Sequence, residues 1–154
     1  MVEKTDIDGV FGIMLKPMID DRGCFMELMK QSFIEDFTIK QVSMAMTHPG
    51  IIKAFHWHER QTDVWFALSG NAKCVLYDLR EGSATYKKFK TVYMGESEHK
   101  LLVIPPRVAH GYQVLGNSEF QLLYCTNQMY NPTRPDEGRI AFDSVGYDWE
   151  IQNR

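Results

Sequence analysis

Two histidines and one acidic residue lie close together near the middle of the sequence. One residue separates His56 from His58, and Asp63 follows five residues later, ahead of a Ser-Gly-Asn turn. Alternate side chains of an extended strand project from the same face, so His56 and His58 are predicted to share a face opposite Trp57. Two imidazoles on one inward face are costly to bury unless each has a partner, a proton to carry or a metal to bind. The spacing therefore indicates a polar pocket.

A third histidine, His110, follows a proline-led turn, Pro-Pro-Arg-Val-Ala at 105–109, which sets it at the start of the next predicted strand. The arrangement His-x-His, carboxylate, glycine, and then a distant histidine resembles the two motifs of the cupin superfamily. Asp63 stands where the first motif normally has Glu. The second motif matches only in part, since Arg107 and Val114 replace its preferred Gly and Asn.

The elements that must position these residues are short β-rich runs bounded by turn residues. The expected single helical turn covers 32–37, with Ser32 as N-cap, and residues 147–151 are expected to be an exposed or partner-bound tail. Many short strands with almost no helical period predict an all-β fold, a cupin jelly-roll barrel or sandwich with one or two short helical turns. The predicted strands are 10–17, 24–29, 39–46, 51–57, 64–68, 72–79, 87–94, 100–104, 110–115 and 121–126.

Bulk composition limits the function classes. A length of 154 residues without repeats or linkers predicts a single domain over 1–154. The net charge of −3 argues against nucleic acid as a partner. Three widely spaced cysteines, with no signal peptide and no long apolar run, predict reduced thiols in a cytoplasmic protein without a membrane partner.

A closer resemblance rests on seven pieces that occur in order along most of the chain. Together they resemble the dTDP-4-dehydrorhamnose 3,5-epimerase family, cupin-fold enzymes that act on nucleotide-linked 4-keto sugars. The pieces are D-R-G-C-F-M-E at 21–27, Q-V-S at 41–43, I-I-K-A-F-H-W at 51–57, D-L-R at 78–80 with S-A-T-Y at 83–86, I-P-P at 104–106 with A-H-G-Y at 109–112, Y-C-T at 124–126 and Y-N-P at 130–132.

The resemblance implies an isomerase of dTDP- or other NDP-4-keto-6-deoxy sugars in polysaccharide biosynthesis, with no metal or cofactor. It makes His56 the base and Tyr124 the acid, with His110 and Lys53 holding the developing oxyanion. It also implies a homodimer in which strands of 8–30 add to the partner's sheet. The residues expected to hold the substrate are Arg22, Phe25, Glu27 and Gln41, together with His58 beside the base.

The sequence departs from the family pattern inside the predicted pocket. Asp63 stands where the family has the lysine that stabilises the enolate, Lys53 replaces an arginine, and His58 replaces a residue that is not histidine. In the family an aspartate in a C-terminal tail partners the base, and the sequence stops at Arg154, before that tail. Asp63 or a neighbouring histidine is therefore the nearest group to orient His56. A single-centre epimerisation or a related isomerisation therefore fits the pattern as well.

Two alternatives from other classes stay open. One is a metal cupin, in which three imidazoles and a carboxylate bind one divalent transition metal, and the cation restores positive charge beside Asp63. The other is a non-catalytic sugar-binding domain. The ligand set of the metal alternative is His56, His58, Asp63 and His110.

Overall fold

The computed structural model describes residues 1–151 and consists of two facing antiparallel sheets with a small hairpin beside them, which confirms the predicted all-β jelly roll. A short 3₁₀ turn covers Gln31–Phe33. The strands are β1 Val2–Lys4, β2 Phe11–Met14, β3 Met18–Asp20, β4 Gly23–Phe25, β5 Gln41–Thr47, β6 Ile52–Trp57, β7 Asp63–Ser69, β8 Asn71–Asp78, β9 Phe89–Gly95, β10 Lys100–Ile104, β11 Val108–Leu115, β12 Phe120–Thr126 and β13 Gly138–Arg139.

The six-stranded sheet has the order β1-β2-β10-β7-β12-β5, and the five-stranded sheet has the order β13-β6-β11-β8-β9. Strand β7 shows how the sequence divides between layers. Trp65 and Ala67 belong to the core between the sheets, whereas Val64 and Phe66 belong to a second apolar cluster on the outer side. Both faces of β7 are therefore buried, which explains its nearly continuous apolar sequence.

Segments without regular structure cover part of the outer face of each sheet. Ile34 and Phe37, which follow the 3₁₀ turn, pack on the outer side of the six-stranded sheet. Trp149 packs against Phe55 on the five-stranded sheet and is only 8% exposed. The expectation of an exposed or partner-bound tail at 147–151 is therefore wrong for Trp149, whose indole ring holds this segment on the sheet, while Asp148, Glu150 and Ile151 are exposed as expected.

The predicted helical turn is present but begins earlier than expected. The 3₁₀ turn starts at Gln31, and the residue before it, Lys30, makes no side-chain cap hydrogen bond. Ser32 therefore lies inside the turn and cannot be its N-cap, contrary to prediction.

The N-terminal segment is used mainly within the chain itself. Strand β2 pairs with both β1 and β10 within the chain. The expectation that N-terminal strands of 8–30 add to a partner's sheet therefore stays a prediction for the remaining strands of that segment. Only the hairpin β3–β4 forms a separate two-stranded sheet. The structure also adds β1, β3 and β13, three short strands that sequence pattern did not predict. Nowhere in 1–151 is a helix long and apolar enough to cross a membrane.

Candidate active site

A cavity of about 950 Å³ opens between the two sheets, within the usual size range of small-molecule sites. Strands β5, β6, β7 and β12 supply its walls, and the segment 128–139 borders it. The fold thus brings six of the predicted site residues to one cavity: Gln41, Lys53, His56, His58, Asp63 and Tyr124.

Strand register explains why residues distant in sequence meet here. His56 on β6 lies directly opposite His110 on β11, and Tyr124 on β12 lies opposite Trp65 on β7. Directly opposite side chains of antiparallel strands project from the same face. His110 is 1% exposed and is not part of the cavity wall. Its ring centroid lies 4.2 Å from that of His56, so it supports His56 from behind.

The close approach of β6 and β11 depends on Gly111. A Cβ atom on this residue would lie 2.3 Å from the Cβ of Ala54 and 2.6 Å from the backbone oxygen of Lys53. The register of the two strands also shifts between His110 and Tyr112. Glycine next to His110 therefore lets β6 lie close enough for the His56 and His110 rings to meet.

Asp63 is a buried carboxylate, 2% exposed, at the start of β7. Gln61 Nε2 donates to its Oδ1 at 2.7 Å, and Trp65 Nε1 donates to its Oδ2 at 3.3 Å. Burial by itself would raise the pKa of Asp63, but interactions with His110 and His58 and the Gln61 hydrogen bond outweigh burial and hold the pKa below its usual range. The group is therefore an anion at neutral pH.

His58 is held by a residue that sequence pattern did not identify, Asp136. The Nδ1–H of His58 donates to the backbone carbonyl of Asp136. The Asp136 carboxylate in turn accepts hydrogen bonds from the backbone amides of Glu59, Arg60 and Gln61. Asp136 thus ties the turn after β6 to the segment before β13 and fixes which nitrogen of His58 faces Asp63.

His56 is mostly buried and is surrounded by aromatic rings, including His58 and Trp65. Burial, and then the nearby His110, lower the pKa of His56 well below its ordinary value, so the imidazole is neutral at neutral pH. Asp63 hydrogen-bonds to other groups, and no hydrogen bond of His56 is found within residues 1–151. His56 is therefore oriented by packing against the ring of His110 and not by a hydrogen bond to a carboxylate of the described residues.

The predicted nucleotide-binding residues are divided between two places. Gln41 lies in the cavity, where its Oε1 accepts a hydrogen bond from the backbone of Tyr130 at 2.8 Å. Arg22 is exposed and pairs with Asp20, and Phe25 is 63% exposed on the β3–β4 hairpin. Glu27 pairs with Lys30. One chain alone does not bring Arg22, Phe25 and Glu27 to the cavity.

Three arginines at the cavity were not identified from the sequence: Arg60, Arg134 and Arg139. Arg139 pairs with Glu137 at 2.7 Å. Neither Arg60 nor Arg134 forms an ion pair with any carboxylate in the described part of the chain. In the sequence, these residues are marked only by their positive charge. No motif in the turn after β6 or in the segment 128–139 predicts which side chains point into the cavity.

The sequence is similar to those of known sugar-nucleotide epimerases and of a polysaccharide biosynthesis protein. A family model described as dTDP-4-dehydrorhamnose 3,5-epimerase matches residues 4–154. The spore coat polysaccharide biosynthesis protein SpsL of Bacillus subtilis is 46% identical over 152 residues, 96% of this chain and 99% of that protein. The dTDP-4-dehydrorhamnose 3,5-epimerase of Shigella flexneri is 28% identical over 161 residues, 99% of this chain and 88% of that enzyme.

A solved structure shows the same architecture. The crystal structure of dTDP-4-dehydrorhamnose 3,5-epimerase from Sulfolobus tokodaii superposes with a TM-score of 0.84 at 27% identity, covering 98% of this chain and 87% of that one. The sequence match covers nearly the whole chain and the fold is shared across it. The chain therefore belongs to the dTDP-4-dehydrorhamnose 3,5-epimerase family, a family of isomerases.

Proposed function

We propose that this protein epimerises a dTDP- or other NDP-linked 4-keto-6-deoxy sugar at C3, C5 or both. The observation that carries the proposal is the placement of His56 and Tyr124. They lie on β6 and β12, strands of the two different sheets, and both line the same cavity. A sugar ring between these walls has one face toward a base and the other toward an acid, which is what inversion by proton transfer requires.

The reaction needs no change of oxidation state. The C4 ketone acidifies the neighbouring C–H bonds, and the neutral imidazole of His56 removes one such proton to leave an enolate. The phenol of Tyr124 then donates a proton to the same carbon from the opposite face, so that its configuration inverts. Water restores both groups to their starting protonation states.

The enolate oxygen requires positive charge or donors close by. Lys53 lines the cavity on the same strand as His56 and supplies an ammonium group. His110 supports His56 from behind the wall. Asp63 has the wrong charge to stabilise an enolate directly, so its role lies with the histidines and Gln61 around it.

The two cavity arginines without a carboxylate partner within residues 1–151, Arg60 and Arg134, suit the substrate's diphosphate. Guanidinium groups match phosphate oxygens in charge and in hydrogen-bond geometry. Tyr130 and Met129 lie beside Arg134 in the same segment and offer apolar surface for the sugar or base. The similarity to SpsL supports a role in polysaccharide biosynthesis.

We also propose a homodimer. Ile19 and Phe25 on the β3–β4 hairpin are 76% and 63% exposed, and the edge strand β5 exposes Val42, Met44 and Met46 on one face. Pairing through these surfaces would cover apolar side chains and an open sheet edge. It would also carry Arg22 and Phe25 to the partner's cavity. Light scattering should give twice the chain mass, and a monomer at micromolar concentration would contradict the proposal.

We propose a cytoplasmic location, because the cysteines form no disulfide. Cys24, Cys74 and Cys125 are all free thiols. Two of them are buried, and burial raises the pKa of Cys74 to about 12, which keeps that thiol unreactive. Free thiols are typical of a reducing compartment.

Deuterium incorporation from D₂O into a dTDP-4-keto-6-deoxy sugar, followed by NMR, tests the epimerase proposal. His56→Asn should slow both exchange and inversion by about 100-fold or more, the usual contribution of a general base. Tyr124→Phe should abolish inversion while His56 still exchanges the proton on its own face. The exposed His48 hydrogen-bonds to Glu119 at 2.9 Å, and neither residue lines the cavity, so His48→Gln is the matched control.

The outcomes separate the function classes. Wild-type binding of the sugar nucleotide without any deuterium incorporation would overturn the epimerase proposal and favour a non-catalytic binding domain. Equal rates in the wild type and the His56→Asn variant would show that another group is the base.

A further inference from the structure

Four potential metal ligands from β6, the residue after it, β7 and β11 converge between the two sheets, beside the cavity. His56, His58, Asp63 and His110 each offer one donor atom, and these four atoms lie within 4.8 Å of one another. Two ligand atoms on one zinc ion lie at most about 4.2 Å apart, since each bond is about 2.1 Å long. The 3.3 Å from His110 Nε2 to Asp63 Oδ2 and the 3.9 Å from His58 Nε2 to Asp63 Oδ1 already fall within that limit.

Two of the imidazoles are oriented in the way that metal-binding histidines are. His110 Nδ1 donates to the backbone carbonyl of Val108 at 2.8 Å, and His58 Nδ1 donates to the backbone carbonyl of Asp136. A hydrogen bond from one ring nitrogen fixes the tautomer and leaves the lone pair on the other nitrogen for a metal. In both residues the second ring nitrogen, Nε2, faces Asp63.

One of these nitrogens has no partner within the described residues. His110 Nε2 is buried and makes no hydrogen bond, although Asp63 Oδ2 lies 3.3 Å away. When the ring carries its proton on Nδ1 alone, the lone pair on Nε2 faces the carboxylate, so two acceptors lie opposite each other in a buried position. The side chains are 1% and 2% exposed. A cation between them would satisfy both acceptors and balance the buried negative charge.

We propose that His56, His58, Asp63 and His110 form a binding site for one divalent transition-metal cation. Three imidazoles and a single carboxylate favour zinc, iron, cobalt or nickel over magnesium and calcium, which prefer oxygen ligands throughout. Gln61 now donates to both His58 Nε2 (3.1 Å) and Asp63 Oδ1 (2.7 Å). Metal binding therefore requires its flexible side chain to turn away.

The four ligands and their geometry are independent of the proposed function. Metal binding does have a consequence for that function, because the lone pair of His56 cannot hold a metal and accept a proton at the same time. Metal-loaded protein should therefore lose deuterium exchange, and chelator-treated protein should regain it. The metal and the sugar proton compete for the same nitrogen.

Metal binding is measured first, without reference to activity. Chelator-treated wild-type protein is titrated with Co²⁺ and Zn²⁺, monitored by the visible Co²⁺ spectrum and by metal analysis after dialysis. We expect one equivalent per chain. Asp63→Asn and His110→Gln should each weaken binding more than about 100-fold, beyond the loss typical of residues that only support a ligand. His48→Gln, which removes an exposed histidine, should bind as the wild type does.

Wild-type protein that binds no stoichiometric Co²⁺ or Zn²⁺ would overturn the metal site whether or not the variants fold. Equal binding by the wild type and a folded Asp63→Asn variant would overturn it too. Exchange activity then reports separately on the proposed function. Activity only in the chelated protein supports both proposals, whereas activity only in the loaded protein supports the metal site and refutes His56 as the free base.

Discussion

The substitution Gly111→Ala tests whether the close contact of β6 and β11 sets the geometry of the site. A Cβ at this position would lie 2.3 Å from Ala54 Cβ, whereas ordinary contact begins at 3.4 Å, so the strands must separate by about 1.1 Å. The other near atoms are the Ala54 Cα and the Lys53 backbone oxygen, both 2.6 Å away, which no rotamer change can move. Overpacking of this kind costs about 1–3 kcal/mol of folding stability.

The displaced strand carries His56 and Lys53, so catalysis should suffer as well as stability. A misplacement of about 1 Å can reduce a rate about 100-fold. Urea denaturation measures the loss of folding stability, and deuterium incorporation into a 4-keto sugar nucleotide measures the loss of catalytic rate. Gly82→Ala is the control, because a Cβ there meets nothing within 4 Å. A folded Gly111→Ala variant with wild-type stability and exchange rate would refute this account of how His56 is positioned.

Three further predictions follow from particular contacts. Trp149→Ala should destabilise the fold by about 3 kcal/mol through loss of its packing on Phe55, a common cost of removing a buried Trp; an unchanged urea midpoint would contradict this. Burial opposes the ionisation of Asp78, but hydrogen bonds from Arg80 outweigh it and lower the pKa of Asp78. As the pH falls, the Asp78 carboxyl of the unfolded state therefore takes up a proton near pH 3.8, before that of the folded state does. The contribution of Asp78 to folding stability is thus present above about pH 4 and lost below it. The loss is at most about 1.4 kcal/mol per pH unit. Denaturation against pH should show this loss in the wild type and not in Asp78→Asn. Arg134→Gln should raise KM for the sugar nucleotide about tenfold, equivalent to about 1.4 kcal/mol, with little change in kcat; a lower kcat at constant KM would place Arg134 in the chemistry instead.

Local pattern predicted most of the strands that build the two sheets. Strand β10 has the predicted bounds, β6 and β12 begin one residue away from the predicted start, and β7 is one residue longer than predicted at each end. The errors concern segments stabilised by distant contacts. Trp149 is buried because it covers Phe55, a contact across more than ninety residues of sequence that no local pattern contains. Strand β13 exists only because Gly138 and Arg139 pair with β6.

The histidines, Asp63 and Tyr124 were identifiable from residue type, spacing and family resemblance, since these are properties of short segments. What their side chains contact was decided by tertiary structure. The pairing of β6 with β11 places His110 against His56, and a loop seventy-five residues further along supplies the Asp136 contacts to Gln61 and its neighbours. Hydrogen-bond partners and burial depend on which strands become neighbours, and therefore on packing of the whole chain. The sequence by itself determined which chemical groups are present, and only the folded arrangement decided that three imidazoles and a carboxylate come within 4.8 Å of one another.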